Sequence, residues 1–278
     1  DRFGEEFAES GNLGNLDLIA SLEWVRDNIE AFGGDPANVT IMGESGGGMK
    51  VSDLLATPAA DGLFHKAIIQ SGPGVTAVSK EDAIKSADAV LDEADIDTVE
   101  DLMTIPADDL IAAAFRAQKK LGGPFSDGLK LRPVADGVVL PGNQFLPSAP
   151  EQTSDVPLII GWNKDEMTLF LASQPWFGML NDDALDGMAS MFGEQGPALV
   201  ANYRELLGED ATATDVAVRA AGARFIIGSY TIADQKSAQG DAPVYMYRLT
   251  YETPVSDGIL KSPHTLEIPF MFANVEES

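Results

Sequence analysis

A short run of sequence, residues 39–47, constrains the fold more than any other part of the chain. It reads Val-Thr-Ile-Met-Gly-Glu-Ser-Gly-Gly, so a β-branched strand pattern ends in Gly-x-Ser-x-Gly, and an apolar helical pattern follows over residues 46–56. A strand that turns sharply into a helix lifts the serine hydroxyl clear of the sheet, where a base can activate it. Backbone crowding at such a turn explains Gly43 and Gly47, since neither carries a side chain. We therefore predict a strand–turn–helix unit with Ser45 as a candidate nucleophile.

The rest of the chain alternates short buried strands with helical patterns, as a parallel α/β sheet requires. Strands are predicted at 39–42, 67–70, 156–161 and 244–251, and helices at 16–32, 46–56, 79–94 and 99–121. Residues 122–155 are rich in Gly and Pro and predict a loop. The length favours one large domain over residues 1–278, with helical excursions from the sheet at 79–121 and 169–240.

Charge and composition exclude several classes of function. The 44 acidic side chains exceed the 18 basic ones, and a formal charge of −26 repels nucleic acid and anionic membrane surfaces. The absence of cysteine excludes disulfides, thiolate metal sites and cysteine nucleophiles. No apolar run approaches the ~18 residues that span a bilayer. No leader is recognisable and the chain opens at Asp1, so the sequence does not choose between a secreted, a periplasmic and a cytoplasmic protein.

The chain has two histidines, so the choice of a base for Ser45 is narrow. His65 lies ahead of a predicted strand, at the sheet edge opposite to the strand ends that carry chemistry, and we expect a surface or edge histidine there. His264 lies in a loop after the last predicted strand. Catalytic side chains are commonly carried by such loops, so His264 is the candidate general base.

A carboxylate that orients the histidine should lie between Ser45 and His264 in the sequence, just after a buried strand. Asp165 and Glu166, which closely follow the predicted strand 156–161, meet this condition best. Both are chemically able, and spacing alone does not choose between them. The other candidates are better interpreted as solvated loop carboxylates, namely Asp136, Asp155 and Asp257.

Seven stretches of sequence carry a resemblance to a known family. They are Gly11-Asn12-Leu13-Gly14-Asn15-Leu16-Asp17, Glu23-Trp24-Val25-Arg26-Asp27-Asn28-Ile29, Phe32-Gly33-Gly34-Asp35-Pro36, Gly43-Glu44-Ser45, Gln70-Ser71-Gly72, Asn163-Lys164-Asp165-Glu166 and His264 with Glu267-Ile268-Pro269-Phe270. The chain resembles the type-B carboxylesterases, the carboxylesterase and cholinesterase group of the α/β-hydrolases, over nearly its whole length. The resemblance implies an α/β-hydrolase fold, with a mostly parallel central sheet flanked by helices.

The same resemblance implies a serine carboxylesterase that cleaves carboxylic esters through an acyl-enzyme. It implies Ser45 as nucleophile, His264 as general base and Glu166, rather than Asp165, as the acid of the triad. The expected substrate is a small-molecule ester. No metal and no organic cofactor is implied, and the oligomeric state is left open.

The resemblance also implies positions for three residues next to the expected triad. Gly46 stands where the family usually has alanine, and its backbone N–H can still donate to the oxyanion. Glu44 and Ser71 are expected to lie beside the triad. A strand-end serine that satisfies backbone groups explains Ser71 equally well.

One departure from the family pattern concerns the oxyanion hole. Family members carry a Gly-rich oxyanion loop ahead of the region where this chain begins, and no His-Gly-Gly sequence exists here. The chain therefore resembles an internal piece that lacks the N-terminal strands and the C-terminal end. Losing one oxyanion donor costs roughly 10²–10³ in turnover, so the piece alone is expected to be a weak or inactive esterase.

Several alternatives remain open at this point. The apolar residues Phe170, Trp176 and Phe177 rim a substrate pocket in one interpretation and pack beneath a lid in the other. The rival to an esterase is a non-catalytic adhesion or binding relative of the same fold. A lactonase or an acyltransferase would use the same site.

The acidic surface leads to a prediction about salt. In the interpretation of a salt-adapted protein, screening of the −26 charge should raise the melting temperature markedly between low and molar salt. An ordinary acidic surface, the other interpretation, predicts a flat profile. Thermal unfolding followed by circular dichroism at increasing NaCl concentrations distinguishes the two.

Overall fold

The computed structural model describes residues 3–122 and 128–275. Its α-helices are α1 (Leu13–Asn28), α2 (Gly46–Ala56), α3 (Lys80–Glu93), α4 (Val99–Thr104), α5 (Ala107–Lys120), α6 (Thr168–Leu171), α7 (Asp182–Met188), α8 (Gly196–Leu207), α9 (Ala213–Gln239) and α10 (Ile268–Met271). Its strands are β1 (Thr40–Glu44), β2 (Lys66–Gln70), β3 (Val78–Ser79), β4 (Val134–Ala135), β5 (Leu158–Asn163) and β6 (Val244–Leu249). No helix within the described ranges combines the length and the apolar character that a membrane crossing needs.

The described residues fall into two compact units. Unit 1 comprises the described residues within 1–39, 53–64 and 75–153. Unit 2 comprises the described residues within 40–52, 65–74 and 154–278. Helices α3 to α5 belong to unit 1, and α7 to α9 belong to unit 2. The residues that are expected to carry chemistry all belong to unit 2, among them Ser45, Glu166 and His264.

Unit 2 contains a four-stranded sheet in the order β1-β2-β5-β6. Each neighbouring pair of these strands is parallel, which confirms the parallel α/β architecture that the sequence predicted. Parallel strands point the same way, so the four carboxyl ends lie along one edge of the sheet. Ser45 follows β1 at that edge, Ser71 follows β2, and Glu166 comes three residues after β5.

The two faces of this sheet differ in burial, because side chains alternate between them along each strand. One face carries buried aliphatic side chains that are neighbours in the register, namely Ile41, Ala67 and Leu158. Trp162 lies on this face, and its ring packs against Tyr230 of α9 with centroids 5.5 Å apart. The other face carries side chains that are 40–61% exposed, namely Met42, Ile159 and Tyr245. Helix α9 is thus the support of β5 on the covered face.

Unit 1 is built on the pair α3 and α5, which bury Val90, Ala113 and Ala117. Strands β3 and β4 form a two-stranded parallel pair that the sequence did not predict. The side chain of Asn12 completes this pair, since its Nδ2 donates to Val134 O at 2.8 Å and its Oδ1 accepts from Val134 N at 2.9 Å. An apolar groove of about 940 Å³ runs beside α3 and α5.

Proline residues change the bounds of two predicted elements. The helix predicted over 99–121 is wrong as a single element, since Pro106 separates α4 from α5 and becomes the N-cap of α5. Strand β5 begins at Leu158 rather than at residue 156, because Pro157 has no N–H to contribute to the ladder. The predicted loop 122–155 holds β4, and its residues 123–127 lie outside the described part of the chain.

The turn between β1 and α2 confirms the predicted strand–turn–helix unit. Ser45 has φ of 56°, in the left-handed region that non-glycine residues rarely adopt. A Cβ on Gly43 would lie 2.2 Å from the carbonyl carbon of Gly47, and a Cβ on Gly72 would lie 1.9 Å from the carbonyl oxygen of Ser45. The predicted crowding is confirmed at Gly43. It is wrong at Gly47, where a Cβ would meet no described atom within 4 Å.

This crowding predicts opposite outcomes for two glycine substitutions. Gly72→Ala should lower the free energy of unfolding by about 3 kcal/mol or more, because the new Cβ overlaps the backbone of Ser45. Gly46→Ala is the matched control, since its Cβ meets nothing within 4 Å and alanine favours helix by up to about 1 kcal/mol. Urea denaturation measures both. Equal midpoints for the two variants would contradict the geometry.

Candidate functional site

Glu166 is the centre of a buried group of side chains at the carboxyl edge of the sheet. Its Oε2 lies 2.6 Å from Nδ1 of His264. Its Oε1 accepts hydrogen bonds from the Ser71 hydroxyl at 2.6 Å and from the backbone N–H of Asn163 at 2.7 Å. The side chain is only 3% exposed. A buried carboxyl group needs such partners to replace its lost hydration, and Glu166 has three.

Between the two carboxylates that the sequence left as alternatives, the structure brings only Glu166 to the imidazole. The carboxylate of Asp165 instead pairs with Arg219 of α9 at 3.3 Å and accepts from the backbone N–H of Ser262 at 3.3 Å. Ser71 contacts Glu166 directly, as the resemblance implied, and therefore does more than satisfy backbone groups.

His264 is buried, with 3% of its side chain exposed. The rings of Phe170 and Phe225 lie on it at centroid distances of 5.2 and 5.3 Å. Burial disfavours the charged imidazolium, but the hydrogen bond and charge of Glu166, followed by the charges of Glu44 and Glu267, outweigh it. The pKa of His264 is therefore raised above its ordinary value.

The second ring nitrogen of His264 faces Glu44, the residue before the candidate nucleophile. Nε2 lies 3.1 Å from Glu44 Oε1, and within the described residues neither atom makes a hydrogen bond of good geometry. The structure thus places Glu44 beside the imidazole and records no hydrogen bond from Ser45 to it. Burial, helped by the charges of Glu267 and Glu166, raises the pKa of Glu44 to about 7, although the charge of His264 acts in the opposite direction.

A third carboxyl group, that of Glu267, completes the cluster. It is 4% exposed and accepts a hydrogen bond from the side-chain amide of Asn163, whose amide also donates to Pro263 O at 2.8 Å. Burial raises the pKa of Glu267 above its ordinary value. Sequence reasoning gave Glu267 no role, although its position three residues after His264 was a usable signal.

The remaining predicted residues are placed as follows. Gly46 is the first residue of α2, and amides in the first turn of a helix lack an intrahelical acceptor, so its N–H is free of the helix ladder. The ring of Phe170 lies against His264, whereas the rings of Trp176 and Phe177 lie against each other, with centroids 6.3 Å apart. Phe225 was missed, because nothing in the sequence of the 27-residue helix α9 distinguishes it from a core residue.

The second histidine of the chain lies away from Glu166. His65 directly precedes β2, at the amino end of the strand and hence at the edge opposite to Glu166. Within residues 3–122 and 128–275, no three His, Asp or Glu side chains are grouped as metal ligands would be. The site itself brings together an imidazole and buried carboxylates, with a serine at the same edge of the sheet.

Comparisons with known proteins give the family. The model of the carboxylesterase family matches residues 5–278. The para-nitrobenzyl esterase of Bacillus subtilis (strain 168) is 36% identical over 277 residues, covering 97% of this chain and 53% of its own length. The liver carboxylesterase of Sus scrofa is 33% identical over 294 residues, covering 95% and 50%.

Solved structures agree with this result. The carboxylesterase EST55 of Geobacillus stearothermophilus superimposes with a TM-score of 0.80 at 39% identity, covering 99% of this chain and 56% of that one. The chain thus spans about half the length of the relatives that it matches. The α/β-hydrolase fold expected from the sequence is confirmed, and the chain belongs to the carboxylesterase family.

Proposed function

We propose that the protein hydrolyses carboxylic esters through an acyl-enzyme formed on Ser45. The observation that carries this proposal is the buried 2.6 Å contact between Glu166 and His264, at the same sheet edge as a serine held in a left-handed turn. Membership of the carboxylesterase family supports the reaction class. Glu166 holds the proton of the imidazole on Nδ1, so that Nε2 is free to act as a base.

The proposed reaction has two acyl-transfer steps. Nε2 of His264 takes the hydroxyl proton of Ser45 while the oxygen attacks the ester carbonyl, and the imidazolium then protonates the departing alcohol. Water repeats the sequence on the acyl-enzyme and releases the acid. In the free protein Nε2 faces Glu44 rather than the serine. Catalytic hydrogen bonds are often long or poorly aligned before substrate binds, so we expect the hydrogen bond between Ser45 and His264 to form in the substrate complex.

Substrate binding is proposed around the ring of His264. The backbone N–H of Gly46 donates to the oxyanion, because the positive end of α2 lies beside Ser45. Phe170 and Phe225, which flank the imidazole, offer an apolar wall for the acyl or alcohol group. Trp176 and Phe177 extend this wall in the proposal. The excess of acidic side chains favours neutral or cationic esters over anionic ones.

The decisive experiment replaces the nucleophile. In the full-length protein, Ser45→Ala should abolish both the hydrolysis of p-nitrophenyl esters and the covalent labelling by a fluorophosphonate, because both need the serine oxygen. His65→Ala is the matched control and should retain both. Near-normal turnover in Ser45→Ala would refute the proposal. Absence of labelling in the unmodified protein would favour a binding relative, and product formation with added alcohols or lactones would identify an acyltransferase or a lactonase.

The raised pKa of His264 predicts the pH dependence. The base must be neutral to act, so kcat/KM should rise with pH along an acidic limb whose midpoint lies above the ordinary histidine pKa of about 6.5. Glu44→Gln removes a carboxylate whose charge raises this pKa, and it should move the limb to lower pH. Glu252→Gln, an exposed control, should leave it in place. If Glu44→Gln leaves the limb in place, the assignment of the limb to His264 is contradicted.

A further inference from the structure

The segment that carries His264 is bonded to the segment after β5 almost residue by residue. Ser262 O accepts from Asp165 N at 2.8 Å, and Ser262 N donates to the carboxylate of Asp165 at 3.3 Å. On the two sides of this pair, Thr168 Oγ1 donates to Leu260 O at 2.6 Å and His264 N donates to Glu166 O at 3.2 Å. Both backbone polar groups of Ser262 therefore end on one residue, Asp165.

The backbone of the His264 segment needs this support. Lys261 has φ of 54° and Thr265 has φ of 72°, so two non-glycine residues in the left-handed region enclose Ser262 to His264. Such residues are strained unless the surroundings hold them, and threonine is β-branched, which adds to the strain. A segment of this kind relaxes to another conformation when its anchor is lost.

The anchor itself is held by helix α9. Asp165 and Arg219 are 4% and 9% exposed, and Arg219 belongs to α9, the helix that packs against β5. The guanidinium keeps its charge even where burial lowers its pKa, so it requires a buried anion. A second ion pair from the same helix, between Asp215 and Lys261, holds the residue before Ser262.

We propose that Asp165 is a positioning residue: held by Arg219, it fixes the backbone of Ser262 and so keeps the ring of His264 against Glu166. This role rests on the function proposed above, because it matters only where that imidazole acts as a base. The two adjacent carboxylates, Asp165 and Glu166, then have different roles. One contacts the ring, and the other holds the backbone that carries the ring.

The test follows the imidazole directly. The chain has two histidines, so the NMR spectrum of protein labelled with ¹⁵N-histidine contains two imidazoles, and His264→Asn assigns them. Asp165→Asn keeps the size of the side chain but removes its charge. We expect loss of the hydrogen-bonded Nδ1 proton signal of His264, a fall of its pKa toward about 6.5, and a loss in kcat of about tenfold or more with a smaller change in KM.

Two further variants separate positioning from stability. Asp165→Asn leaves Arg219 as a buried unpaired cation, whereas the double variant Asp165→Asn/Arg219→Gln removes both charges and should unfold at nearly the original urea concentration. We expect its His264 signal and kcat to stay low. Lys236→Met is the matched control, since Lys236 is buried on the same helix and donates to Ser154 O at 2.9 Å. It should lower stability and leave the His264 signal unchanged.

The outcomes distinguish this role from the proposed function. Recovery of the His264 signal and of kcat together with stability in the double variant would overturn the positioning role, as would an unchanged signal in Asp165→Asn. Glu166→Gln provides the reference spectrum for an imidazole without its carboxylate. Full-length protein that shows the bonded Nδ1 proton but hydrolyses no ester would refute the proposed function, while the effect of Asp165→Asn on that proton would still test the role of Asp165.

Discussion

The contact between Glu166 and His264 is the interaction on which the arrangement of the site depends. A carboxylate that is 3% exposed loses nearly all of its hydration, and only close partners compensate for that loss. Glu166 finds them on three different parts of the fold: Ser71 at the end of β2, Asn163 at the end of β5, and the loop after β6. The contacts of this carboxylate thus connect segments that follow three different strands. A parallel sheet makes this possible, because its strand ends all meet at one edge.

The surroundings of the imidazole combine apolar walls with negative charge. Phe170 and Phe225 cover the ring and exclude water, which strengthens the effect of each nearby carboxyl group. Glu44, Glu166 and Glu267 all act to raise the pKa of His264. Burial is the main reason that the pKa values of Glu44 and of Glu267 are raised, and the charge of Glu166 adds to the effect at both.

Family membership and activity rest on different kinds of support. The family model covers residues 5–278, and the relatives align over nearly the whole of this chain. Those relatives are nevertheless about twice as long, so the activity of the whole protein is a proposal that this chain supports with Ser45, Glu166 and His264. The oxyanion donor that the chain itself offers in this proposal is Gly46, at the start of α2.

The sequence by itself determined the parallel α/β class, the strand–turn–helix unit around Ser45 and the short choice between two histidines, because these follow from local periodicity and composition. It left Asp165 and Glu166 tied, since adjacent carboxylates share every local property. The family resemblance pointed to Glu166, and the packing of the chain gives the physical reason, by bringing His264 to one carboxylate and Arg219 of α9 to the other. Phe225 and Glu267 were found only in the folded chain, because their places beside the ring arise from contacts between segments far apart in the sequence. Local patterns fix how a segment folds, but which side chains meet at the edge of a sheet is decided by how the segments pack.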